Sequence, residues 1–268
     1  MATVFYLFSF LFGVIIGSFL NVVIYRYNTG ASLGGRSMCM SCGKRLSWYE
    51  LIPVVSFLVQ KRKCASCGSA ISWQYPVTEL LTGALFLLVF CLQYPILNVV
   101  DVIDTIFYWI VISLLVVITI YDWKHKIIPD AFVYAFAALS FVALLFHTGI
   151  PTGRMLSGPY VLNIFAGPIL ASPFAFMWLA SRGRWMGLGD AKLALGIGWF
   201  LGLYSSISAV ILAFWMGAFF GITVLFFKGK TFTMKSEIPF GPFLVLGTLL
   251  VFFFHIDVLG LSDVFLSR

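Results

Sequence analysis

"TIFYWIVISLLVVITIYDWKHKIIPD" covers Thr105–Asp130. Its first 17 residues, 105–121, carry no charge. A run of that length reaches the ~17–25 residues of a membrane-spanning helix. The run ends at Asp122, and a loop with Lys124 and Lys126 follows. Similar Leu-, Phe-, Val- and Ile-rich runs recur along the chain. They lack the period-2 alternation of a membrane β-barrel, so helices are expected.

The whole chain agrees with this stretch. It has 268 residues, of which 61% are hydrophobic and only 10% charged, with a mean hydropathy of +1.03. A soluble domain is nearer a quarter charged. The predicted fold is therefore an all-α polytopic membrane protein, a bundle of about eight transmembrane helices. Spans are expected at 2–25, 76–97, 105–121, 131–147, 160–180, 191–204, 206–227 and 240–256. The first has no basic residues ahead of it and Arg26 behind it, so it is expected to be a retained anchor rather than a cleaved signal. G-x-x-x-G recurs at Gly13/Gly17, Gly198/Gly202 and Gly217/Gly221, a spacing that lets helix backbones approach closely.

The net charge of +7 has a pattern. Loops 26–75, 122–130, 181–192 and 228–239 hold 15 of the 17 Lys and Arg residues, and only Arg154 and Arg268 fall on the other side. With eight spans these four loops share one face. By the positive-inside rule that face is cytoplasmic and both termini lie outside. Topology and anionic membrane lipid account for the charge, and no nucleic acid partner is expected.

Three segments follow: a first span at 1–25, a cytoplasmic insert at 26–75 and a membrane core at 76–268. The insert contains Cys39 and Cys42 in one C-x-x-C-G and Cys64 and Cys67 in a second. Two such pairs suit one tetrahedral zinc ion, with a hairpin or short helix closing the loop between them. The glycine after each pair permits the required turn. A segment this short builds little core, so a metal would stabilise it. A redox dithiol and disulfides are the alternatives, and a cytoplasmic location disfavours lasting disulfides. Cys91 is expected to be a small buried apolar residue of span two.

The chain has ten acids. Asp101, Asp104, Asp257 and Asp263 read as solvated, in outward loops or the tail, and Glu50 lies in the insert. Glu79, Asp122, Asp130, Asp190 and Glu237 cluster near cytoplasmic helix ends. Asp122 ends one span, and Asp190 begins another in "GLGDAKLALGIG" (187–198). Both fall just inside the apolar layer, where an acid is costly and suggests function. Two carboxylates at similar depth form a candidate pair. Close together, they cannot both ionise cheaply and share one proton, the state an aspartic peptidase uses. Gly187 and Gly189 would permit an irregular turn and close approach of a substrate strand. Structural alternatives stand beside this: Asp122 paired with Lys124 or Lys126, and Asp190 as the N-cap of its helix.

At these motifs the chain resembles the type IV prepilin peptidases, bifunctional leader peptidases and N-methyltransferases. The resemblance rests on "GSFLNVVIYR" (17–26), the paired C-x-x-C-G insert enclosing "SWYELIPVVSFL" (47–58), and "SWQYPVTEL" (72–80). It continues through "YDWKHKIIPD" (121–130), "GLGDAKLALGIG" and "EIPFGPFLVLG" (237–247). It implies catalytic aspartates at Asp122 and Asp190, zinc-type ligands at Cys39, Cys42, Cys64 and Cys67, and an eight-helix G-x-G-D intramembrane aspartyl peptidase fold. It also implies a type IV prepilin or pseudopilin substrate in the bacterial cytoplasmic membrane. That substrate is cut after the glycine that ends a basic leader, and the new N-terminus is then methylated from S-adenosylmethionine. One departure bears on methylation: "QKRKC" has Arg62 where the family usually has glycine.

The remaining acids have simpler readings. Glu79, Glu237 and Asp130 would complement helix N-termini, and Glu79 and Glu237 could also meet a basic leader. Two rival functions are weighed. A zinc-stabilised transporter using Asp122 and Asp190 as an ion or proton relay would show an internal repeat or a midplane charge, and the sequence has neither. A thiol oxidoreductase would place its cysteines near an oxidising face.

Overall fold

The structure, a computed structural model, describes residues 2–30, 32–96, 98–147, 158–228 and 238–260. It is helical almost throughout: α1 (Ala2–Arg26), α2 (Val55–Val59), α3 (Gln74–Gln93), α4 (Val99–His125), α5 (Asp130–His147), α6 (Gly158–Ser181), α7 (Leu188–Leu201), α8 (Leu203–Lys228) and α9 (Gly241–Phe254). A 3-10 turn, Trp48–Leu51, precedes α2. Two isolated antiparallel bridges are the only β pairing among the described residues.

Every expected span is a helix, but their lengths differ. Among the described residues five helices (in α1, α3, α4, α6 and α8) are long and apolar enough to cross a membrane. α7 and α9 have 14 residues each, a rise of about 21 Å against a hydrocarbon core of about 30 Å. α7 is stopped by Gly202 at φ +77°, with α8 starting at the next residue, and α9 by the left-handed His255. α4 is longer than its apolar run. It begins at Val99 and so takes in Asp101 and Asp104, which were expected in a loop. Asp101 opens the helix: it accepts the Asn98 N–H at 3.2 Å and returns its own N–H to Asn98 Oδ1 at 3.0 Å. Asp257 likewise accepts the Ser208 hydroxyl at 3.3 Å and the Leu259 N–H at 3.1 Å instead of lying free.

The chain forms two compact units, Met1–Val117 and Ile118–Arg268, with the division falling inside α4. In the first, α1 packs on α3. Lipid is as apolar as leucine, so helices associate in it by close packing rather than by escaping water. Gly13 and Gly17 supply that packing: a Cβ on either would sit 2.8 Å from a backbone Cα of α3, that of Gly83 or Glu79. Phe86 stacks on Trp109 of α4 with ring centroids 5.1 Å apart, and the Trp109 indole N–H donates to the Phe86 carbonyl at 3.1 Å.

In the second unit α7 is central, touching α5, α6, α8 and α9. Its Gly196 lies on Phe136 of α5 and its Gly198 on Ala166 of α6. Gly217 and Gly221 make only ordinary contacts at 3.6 Å, so that G-x-x-x-G is not a close helix crossing. Cys91 is exposed on α3 rather than buried.

Candidate active site and metal centre

Asp122 and Asp190 both lie in the second unit. Asp122 lies in the last turn of α4 and Asp190 in the first turn of α7. They are 4% and 8% exposed, and close enough for their charges to interact. Each accepts a backbone N–H from a glycine: Asp190 from Gly187 and Asp122 from Gly241. Both bonds involve helix N-termini, where unsatisfied N–H groups and the dipole favour negative charge.

The N-cap of α7 is Gly187, and Asp190 is the third helical residue. The structural alternative that Asp190 is itself the N-cap is thus corrected. It serves the same helix end from the third position, as the acid of a capping box does. At α9 the N-cap is Phe240, whose side chain caps nothing. Asp122 supplies the missing acceptor from α4. Only glycine permits the approach: a Cβ on Gly241 would lie 2.5 Å from Asp122 Oδ2 and 3.2 Å from Ile128 Cδ1.

Gly187 and Gly189 were expected to permit an irregular turn. Neither has a positive φ. Gly189 instead makes room for Ile128, whose Cβ would lie 2.8 Å from an added Cβ. Ile128 thus packs against the start of α7 and the start of α9. Beside the pair, Lys192 of α7 bridges to Asp130, the first residue of α5, at 2.7 Å, and its ammonium lies 4.9 Å from the Tyr134 ring centroid. Asp130 therefore opens its helix as expected and also ties α5 to α7. Gly241 and Ile128 are the residues that reading by motif alone missed as part of this site. The signal was present, since Gly241 stands in "EIPFGPF".

Glu79 and Glu237 were expected at the starts of their helices. Glu237 lies outside the described residues, as does Asp263. Glu79 is not at the start of α3 but its sixth residue, and is 5% exposed. Its Oε2 accepts the Val54 N–H at 2.7 Å, and it bonds Ser18 of α1. It thus holds the insert rather than capping its own helix.

The cysteines form two matching knuckles. Cys39 and Cys64 each accept the N–H of the glycine after their pair, Gly43 and Gly68, at 2.9 Å, and donate to the next turn, to Lys44 and Ser69, at 2.9 Å. Both glycines have φ +70°, a conformation costly for other residues. The bridges Met38–Arg45 and Lys63–Ala70 flank the knuckles. All four Sγ atoms lie within 4.8 Å of one another and could hold a metal ion. Cys39 and Cys67 are 3.9 Å apart. A tetrahedron with Zn–S bonds of about 2.3 Å has edges of about 3.8 Å, so the donor set fits zinc.

The thiols are not alike. The backbone N–H groups of Cys42 and Ser41, with the Ser69 hydroxyl, bring Cys39 down to about 6. At Cys42 the Lys44 N–H pulls the other way, but the Cys67 contact, burial and Cys39 push it up to about 11. Without a cation, four clustered thiols cannot all ionise. Glu50 braces the first knuckle: its carboxylate accepts the Ser47 N–H at 2.8 Å and meets Lys44 at 3.2 Å. Those contacts, the Ser47 N–H first, hold it below the ordinary carboxylate range.

Arg62, the departure noted above, adopts φ +63° after Lys61 at +49°. Its backbone therefore occupies the region glycine favours. Its guanidinium lies 5.7 Å from the Trp73 ring centroid.

A buried acid pair at membrane-helix ends and a four-thiol cluster between two spans are the features to compare with known proteins. Residues 11–93 match the Bacterial Peptidase A24 N-terminal domain, and residues 109–222 match the Type IV leader peptidase family. Three curated relatives are each named prepilin leader peptidase/N-methyltransferase. One from Bacillus subtilis is 30% identical over 94% of this chain and 95% of its own length. One from Vibrio cholerae is 28% identical over 92% and 97%. One from Myxococcus xanthus is 31% identical over 84% of this chain and 65% of the relative. No solved structure matches the chain. The chain belongs to the type IV leader peptidase family and is an enzyme.

Proposed function

We propose that this enzyme is an intramembrane aspartic endopeptidase that cleaves the basic leader of type IV prepilin-like proteins after glycine. It then methylates the new N-terminal residue, with S-adenosylmethionine as donor. The observation that carries the peptidase reading is the burial of Asp122 and Asp190 within electrostatic reach of each other, each held by a glycine N–H at a helix N-terminus. Two buried acids whose charges interact do not both ionise cheaply, so the pair holds one proton. The ionised member takes a proton from water, and the resulting hydroxide attacks the scissile carbonyl. The protonated member donates its hydrogen bond to the developing oxyanion. As the tetrahedral intermediate collapses, the C–N bond breaks and the proton taken from water passes to the leaving amine.

Cys39, Cys42, Cys64 and Cys67 would hold the zinc. When bound it neutralises the thiolates and crosslinks the two knuckles. The roles divide along the chain: the insert at 26–75 serves methylation and the core at 76–268 serves cleavage. The basic loops support a bacterial cytoplasmic membrane location, with termini outside and both the insert and the acid pair at the cytoplasmic face.

The test is co-expression with a type IV prepilin, following leader removal by mass. The unaltered chain should cleave, and Asp122→Asn and Asp190→Asn should each accumulate uncut prepilin at normal enzyme levels. Full cleavage by either variant would falsify the paired-acid mechanism. Mass analysis of the mature N-terminus tests methylation separately, and an unmodified amine counts against it.

A further inference from the structure

The insert carries an apolar surface that neither the acid pair nor the cysteines explain. Trp48 is 78% exposed, Leu58 66% and Val59 76%, and Leu51 and Val55 are exposed with them. Val55, Leu58 and Val59 stand at i, i+3 and i+4 on α2 and so form one stripe. Phe57 points the other way, buried 5.0 Å from the Trp73 ring. α2 is therefore apolar on its outward stripe as well as at its buried Phe57, the reverse of a water-facing helix.

The depth of this segment follows from the Glu79 bond. Glu79 is five residues beyond Gln74, about 7.5 Å along the axis of α3, and α3 is a candidate membrane span. Side chains lean toward the helix N-terminus, which recovers only part of that distance. The hydrogen bond to Val54 thus holds the start of α2 beside the body of α3 rather than beyond its end. Val54 is bent to fit: its φ is +60°, and the Val55 N–H bonds the Pro53 carbonyl at 2.5 Å across it. This is the strained form of the γ-turn, here in a β-branched residue. Exposed Lys61, Arg62 and Lys63 follow α2 after its C-cap, Gln60.

We propose that Trp48–Val59 lies in the headgroup layer of the bilayer that α1 and α3 enter. Its apolar stripe would dip toward the acyl chains, and Lys61, Arg62 and Lys63 would sit on anionic headgroups. An exposed Trp beside aliphatic residues and a basic cluster is the make-up of an interfacial segment. The cations select anionic lipid and repel a basic leader peptide, so the occupant is lipid. This inference does not depend on the proposed peptidase mechanism.

The test places a benzophenone amino acid at Trp48 or Leu58 of the full-length protein in nanodiscs of mixed phosphatidylglycerol and phosphatidylcholine. Irradiation is followed by intact mass. The same probe at Phe8, 57% exposed on α1, reports lipid contact within a span. The expected result is a lipid adduct at both insert positions. Replacing Lys61, Arg62 and Lys63 together by Gln should lower the phosphatidylglycerol share, each charge favouring an anionic surface by about fivefold. Positions 48 and 58 without lipid adducts while Phe8 gives them would overturn the proposal. So would crosslinking to a second copy or to co-reconstituted prepilin instead of lipid.

Discussion

The two knuckles and the acid pair are built in opposite ways. Each knuckle closes within six residues through its own backbone, Cys39 to Lys44 and Cys64 to Ser69. Only the approach of one knuckle to the other is tertiary. The acid pair has no such local frame. Its parts come from the end of α4, the start of α7 and the start of α9, and Ile128 fills the space beside both helix starts. A local motif survives changes elsewhere in the chain, whereas a site assembled from distant helix ends depends on packing at each of them.

The predictions probe that contrast, beginning with the largest effect. Asp122→Asn or Asp190→Asn should lower the leader-cleavage rate by about 10³-fold or more, the scale of lost general acid–base catalysis, while the zinc content stays at that of the parent. Gly241→Ala comes next. Its methyl group would displace the Asp122 carboxylate, and a shift near 1 Å costs about 10²-fold in rate. Single-turnover cleavage should show that loss with Asp122 still in place. An unchanged rate would mean that the α9 contact does not set the geometry.

Zinc removal should act on the other region alone. Metal analysis is expected to give about one zinc per chain. Chelation should expose the insert to protease and end N-methylation while leader cleavage continues. If cleavage stops as well, the two regions are not independent. In the zinc-free protein at pH 7 Cys39 and Cys42 should alkylate at different rates. Cys39, held at about 6, is mostly thiolate and reacts early, and Cys42, at about 11, reacts after it. The Cys39 rate should fall as the pH drops through 6, and equal rates at the two sites would contradict the hydrogen bonding described. Peptide mapping after timed alkylation reads this.

The smallest effect belongs to Arg62→Gly. Relief of a left-handed non-glycine residue gains about 1–2 kcal/mol, and loss of the Trp73 contact returns about 0.5–1 kcal/mol. Insert stability should therefore rise by about 1 kcal/mol or less, seen as slower proteolysis of the insert, with N-methylation retained.

Much of this protein was legible in its sequence because the membrane imposes simple rules. Apolar runs located the long helices, and the doubled C-x-x-C-G located the thiol cluster, since six consecutive residues suffice to shape each knuckle. Several readings that needed correction concern polar side chains near helix ends. Glu79 was read as a cap of its own helix and instead holds Val54 of the insert. The N-cap was the structural alternative weighed for Asp190, which is instead the third residue of α7. Asp101 and Asp104 were read as loop acids and lie in α4. Hydropathy marks where lipid ends, whereas hydrogen bonds decide where a helix ends, and the two differ by a turn or more.

The sequence by itself determined the membrane class, the order and approximate place of the helices, the thiol set and the two acids worth pairing. Those follow from transfer free energy and from local backbone geometry, both properties of short stretches. Only the tertiary structure decided that Asp122 caps α9 from another helix, that Ile128 packs against the starts of α7 and α9, and that Glu79 fastens the insert to α1 and α3. Each of these is a contact between residues far apart in the chain. No local pattern encodes such a contact, because it exists only once the intervening helices have packed.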